Sequence, residues 1–117
     1  MNDRELLELA AKSAGLKIDK SKLNGGGVGN AGFDMLGNAV IDWHNGVTWN
    51  PLTDDGDALW LAVHLRLLVV IDNDATGAQR LNEFFVSESH GDDPWGATRR
   101  AIVRAAAEIG RRMQEAS

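Results

Sequence analysis

Apolar positions along the chain change their period several times, and each change predicts a different element. In the first fourteen residues Leu6, Leu7, Ala10 and Ala14 recur at helical spacing, with Asp3 placed to cap the start and Gly15 to end the helix in a left-handed turn. Ala39-Val40-Ile41-Asp42-Trp43 and Val47-Thr48-Trp49 flank His44-Asn45-Gly46, and an Asn-Gly pair between apolar runs predicts a β-hairpin. A second helix starts after Asn50-Pro51, with Thr53 or Asp54 as its cap and Ala58, Leu59, Ala62, Val63 and Leu65 as its buried stripe. Leu67-Leu68-Val69-Val70-Ile71 is continuously apolar and β-branched, which predicts a strand buried on both faces or nearly so. Asp72 to Gly77 has turn chemistry, and Asn82 to Ser87 reads as another strand. The last helix begins with Asp93 as cap and Pro94 in its first position, and Trp95, Ile102, Ala106, Ile109 and Met113 trace its apolar face.

These elements give an α+β fold in the order α-β-β-α-β-β-α, with a small, mostly antiparallel sheet packed with helices. Short hairpins and the lack of repeated crossover units disfavour a doubly wound parallel sheet. With 117 residues, 44 % of them apolar, the chain suits a single domain over 1–117. Within it, 24–32 reads as a flexible Gly-rich loop. Gly27 to Gly32 matches G-x-G-x-x-G, but no clear strand precedes it and no long helix follows, so the match does not define a dinucleotide site.

Charge narrows the function classes. A formal −5 argues against general nucleic-acid binding and against an anionic membrane surface. From Pro94 onward five arginines face two glutamates, a local +3 that leaves −8 for residues 1–93, so one basic element sits on an acidic body. The chain has no cysteine, hence no disulfide framework, thiolate nucleophile or cysteine-based zinc site. No stretch reaches the roughly 18 apolar residues of a membrane span, and the opening MNDRELLELAAK has no signal-peptide pattern, so a cytoplasmic protein is expected.

Three places carry candidate chemistry. Asp54, Asp55 and Asp57 crowd the start of the second helix, where carboxylates offset the exposed N–H groups and the helix dipole. They lack the ligand spacing and distal Glu of a calcium loop, and neither a metal nor a cofactor is expected. On the same helix Asp57, Trp60, Leu61 and His64 lie away from the main stripe, and an indole facing water invites a partner. Arg99 falls inside the apolar arc of the last helix, where a guanidinium must snorkel, pair with a carboxylate such as one in the Asp54–Asp57 turn, or hold an anionic ligand.

Trp49-Asn50-Pro51-Leu52 with Asp54-Asp55-Gly56-Asp57-Ala58-Leu59, and the run Ala97 to Gly110, resemble a group of short bacteriophage and prophage proteins of unknown function, NinX-like in layout. The Arg-Glu-Leu-Leu-Glu-Leu-Ala-Ala opening also fits, whereas the Gly-rich segment, Trp60 and His64 depart from the pattern. The resemblance implies a phage-encoded accessory protein acting in the host bacterial cytoplasm and implies no reaction.

Three functions follow as expectations. The first is a non-catalytic binder or inhibitor of a host bacterial protein, one of antiphage defence being a candidate, contacted through Trp60 and His64. The second is sequestration of a small anionic metabolite or nucleotide by Arg99 with Trp49 or Trp95, beside Asn50 and the acidic turn. The third is a small hydrolase using the aspartates and one of His44, His64 and His90, for which the sequence offers no nucleophile–base or metal spacing.

Overall fold

The computed structural model describes residues 1–21 and 31–116. In chain order the elements are α1 (Asp3–Ser13), β1 (Ala39–Asp42), β2 (Val47–Trp49), α2 (Asp55–His64), β3 (Leu68–Ile71), β4 (Ala75–Arg80), β5 (Phe84–Ser89) and α3 (Pro94–Ala116). The fold is α+β, with two antiparallel sheets, the β1-β2 hairpin and the β3-β4-β5 meander. Most of the Gly-rich 24–32 segment, and with it the G-x-G-x-x-G match, lies outside the described residues.

α3 is the axis of the molecule. Its 23 residues span about 34 Å at 1.5 Å per residue, long enough to carry α1, α2 and the meander along one helix. Asp93 caps it by accepting the Gly96 N–H at 2.9 Å, and Pro94 takes the first turn, where no N–H is needed. Against its C-terminal half α1 buries Leu6, Leu7, Ala10, Ala11 and Ala14. The approach is close because Gly110 has no side chain: a Cβ there would stand 2.8 Å from the Leu9 carbonyl carbon and nearer still to its oxygen. The cap of α1 is Asn2, whose Oδ1 accepts the Glu5 N–H, and the expected cap Asp3 is instead the first helical residue. Gly15 takes the left-handed conformation at φ +74°.

Between α3 and the meander, Ala78 meets Ala101 and Ala105 with Val86 and Phe84 beside them. β4 is the strand that sequence reading misses, because Ala-Thr-Gly-Ala-Gln-Arg has neither alternation nor an apolar run. Its small residues are there for a packing reason. Ala78 admits α3 on one face, and on the other the Phe85 ring lies where a Cβ on Gly77 would be, 2.5 Å from the ring carbons.

Three expected burial patterns are wrong, and in the same direction. β3 lies at the edge of the meander with Leu68, Val70 and Ile71 exposed, where a strand buried on both faces was expected. α2 is turned about its axis relative to expectation: Leu61 is fully buried, whereas Leu59 and Val63 are 64 % and 67 % exposed. Trp95 and Met113, expected on the buried face of α3, are exposed as well. The physical reason is that apolar residues cover more of α2 than one neighbouring helix can bury.

Candidate functional site

The acidic turn is a building element first. Asn50 is buried, donates its backbone N–H to Asp57 Oδ2 at 2.9 Å, gives its side-chain N–H to Asn38 Oδ1, and accepts the Leu52 N–H. Asp54 caps α2 by accepting the Asp57 N–H at 2.7 Å. Trp49 is buried in the core, and its indole N–H has no hydrogen-bond partner among the described residues. No three His, Asp or Glu side chains converge as metal ligands among the described residues.

Arg99 reaches the acidic turn, as one of its sequence readings expects. Its Nε donates to the Leu52 carbonyl at 2.9 Å and its Nη1 to Asp55 Oδ1 at 2.7 Å. The side chain is four-fifths covered, with Nε and Nη1 engaged within the chain. The pair ties the first turn of α2 to the second turn of α3 and so fixes the angle between them.

Between these two helix starts and the end of β3 lies a groove of about 420 Å³, lined by Ala58, Leu59, Ile71, Trp95, Thr98 and Ile102, with the Asp55–Arg99 pair at its rim. Three of its lining side chains are large, apolar and mostly in water: Leu59, Ile71 at 61 % and Trp95 at 71 %. Around the outward side of α2 the same character continues through Val63 to Trp60, whose indole stacks on the His64 ring at 4.7 Å between centroids and 11° between planes. Acids flank this surface in sequence at every entry: Asp54 and Asp55, Asp72 and Asp74, Asp92 and Asp93, all exposed. Backbone N–H groups of Asp74 and then Ala75 hold the Asp72 carboxyl below its usual range, with His90 adding less, so it stays charged.

The sequence singled out Trp60, His64, Trp95 and Arg99 and missed Leu59, Val63 and Ile71, which it assigned to the core. A usable signal was present. Apolar residues of α2 occupy roughly two-thirds of the helix circumference, more than the ~100° stripe that one core contact needs.

A second polar cluster escaped sequence reading altogether. Thr76 Oγ1 lies 2.8 Å from His90 Nε2 and 2.8 Å from Thr98 Oγ1. A hydroxyl, an imidazole and the neighbouring Asp72 have the composition of a nucleophile–base pair. Thr76 is however fully buried and its oxygen is shared between two partners, so the cluster bolts β4 to α3 rather than presenting a nucleophile.

Fold and site together define a small α+β domain with exposed apolar residues around a groove beside the Asp55–Arg99 pair. Comparison of the chain with protein-family models, with curated proteins and with solved structures gives no match.

Proposed function

We propose that this chain is a phage-encoded accessory protein that binds a host bacterial protein without catalysing a reaction. The observation that carries the reading is the outward side of α2, where Leu59 and Val63, whose pattern demands burial, stand in water together with Trp60, and Leu59 shares a groove with the exposed Trp95. Contiguous exposed apolar surface on a folded domain marks an interaction site, and tryptophan is the residue most enriched where binding energy concentrates. Charge selects the occupant. Exposed aspartates flank the elements of this surface in sequence, Asp55 lines its groove, and Arg99 is already held by Asp55, which suits an apolar segment with Lys or Arg on its flanks. Arg99, four-fifths covered and with Nε and Nη1 already bonded within the chain, has less to offer a free anion, which supports the protein-binding reading over nucleotide sequestration.

A test uses the full tagged chain in host bacteria, with a photo-crosslinking side chain at Val63 and, separately, the double variant Trp60→Glu, Val63→Glu. The expected result is one stoichiometric host protein, cross-linked from position 63 through a basic-flanked apolar segment, and lost from the double variant while its circular dichroism is unchanged. Recovery of that protein undiminished in the double variant would refute the surface. Release of a small anion, with no protein bound, would favour the sequestration reading.

A further inference from the structure

Among the described residues, no strand pairs with the outer edge of β3. Asp72 donates its N–H to the Ala75 carbonyl, and His90 donates to the Asp74 carbonyl, which fixes the alternation along β4. Asp72, Val70 and Leu68 therefore bond to Ala75, Gly77 and Gln79, and the N–H and C=O groups of Val69 and Ile71 point away from the sheet. No charge, proline or bulge protects this edge from residue 67 to 71. The opposite edge differs: β5 ends in Ser87, Glu88 and Ser89, and Arg104 covers it by bonding both the Ser87 carbonyl and the Glu88 carboxylate.

We infer that the free edge of β3 takes the β3 of a second copy of this chain, antiparallel about a two-fold axis, so that two three-stranded sheets join as one of six strands. The argument for this occupant is charge complementarity. Arg66, exposed in the turn two residues before β3, makes no ion pair among the described residues, and Asp72 and Asp74 stand exposed in the turn that follows it. Outward-pointing groups can bond only if Val69 or Ile71 faces Val69 or Ile71. With the axis at Val69 or at Val70, the Arg66 of each copy comes to the end of the pair where the other's Asp72 and Asp74 stand. Both registers set opposite charges together at both ends, and β3 is thus complementary to a second copy of itself.

The same pairing accounts for the exposed apolar residues around the edge. On the outer face Leu68 and Val70, half exposed beside Phe85, gain the second copy's Leu68 and Val70 as neighbours. On the inner face Ile71 opens onto the groove beside Leu59 and Trp95. The inference goes beyond the reading of α2, whose outward Trp60 and Val63 it does not require.

Sedimentation of the full chain over a range of concentrations, with hydrogen exchange at dilute and concentrated ends, tests it. We expect a species of twice 12.7 kDa and slowed exchange at the Val69 and Ile71 amides on concentrating. Arg66→Glu, which sets like charges at both ends of the pair, should weaken the dimer about tenfold. Trp60→Glu with Val63→Glu should leave it intact. A 12.7 kDa species throughout, unchanged exchange at Val69 and Ile71, or a dimer as tight in Arg66→Glu as in the parent chain would each overturn the inference. Hydrogen exchange reads the edge in the parent chain even where a variant folds poorly. A dimer that behaves as expected while no host protein is recovered would remove the functional reading and leave this one standing.

Discussion

The α1–α3 contact and the α2–β3 surface are made from the same kind of residue and end in opposite states. Leu6, Leu7 and Ala10 disappear against α3, whereas Leu59, Val63, Val70 and Ile71 remain in water. What separates them is the shape available opposite. α3 offers α1 a run of Ala106, Ala107 and Gly110, small enough for two helix backbones to close, while α2 buries Ala58, Leu61 and Ala62 and leaves Leu59 and Val63 outward, and β3 meets no fourth strand among the described residues. Apolar patterning states a demand for burial and is silent on whether the chain itself meets it.

The sharpest way to break this contrast is at Gly110. In an exposed helix interior Gly→Ala gains about 1 kcal/mol. Here the new methyl would collide with the Leu9 backbone, and Gly110→Ala is expected to cost about 3 kcal/mol in urea unfolding. Next come two leucines two positions apart. Leu61→Ala should lose about 3 kcal/mol by opening a cavity, and Leu59→Ala should stay within about 0.5 kcal/mol. Equal losses at both would mean that the α2 surface is covered within the chain.

Smaller effects concern the links between regions. Arg99→Met frees the Leu52 carbonyl and a mostly exposed Asp55, for an expected loss of about 1 kcal/mol in thermal unfolding, and Arg99→Lys should recover part of it. The smallest effect is pH-dependent. Arg111, with Arg112 helping, holds the Glu108 carboxyl down to about 2 against partial desolvation, from 4.5 when unfolded. A depressed folded-state value stabilises the fold above pH 4.5, and that stabilisation fades as pH falls from 4.5 through about 2. Glu108→Gln should flatten that acid limb of a stability–pH profile by lowering the neutral plateau toward its acid end, because the variant lacks the stabilisation at every pH.

Local chemistry was the most legible part of the molecule. Asn45-Gly46 made its hairpin, Asp54 and Asp93 their caps, and Arg99 found the acidic turn, because each depends on residues close in sequence or on one strong charge. β4 was hidden, since its identity as the central strand comes from its neighbours and not from its own composition. The rotation of α2 was hidden for a related reason: Leu59 and Leu61 are equally apolar, and only the position of α3 decides which is buried. Of the candidate site, the aromatic and charged members could be named beforehand, while Leu59, Val63 and Ile71 could be recognised only as apolar residues with nothing against them.

The seating of α1 on α3 has a consequence for how the chain comes to be folded. Leu7 and Ala106 belong to one core cluster yet are separated by nearly the whole sequence, so closing that cluster demands a long loop before any reward is collected. During synthesis the first helix leaves the ribosome with its apolar stripe facing water, and it has no docking site until the last helix has been made. The meander, whose strands are joined by short turns, has no such wait and can form its ladder first. The chain should therefore acquire its central sheet early and its hydrophobic centre late, with α1 the last element to become protected.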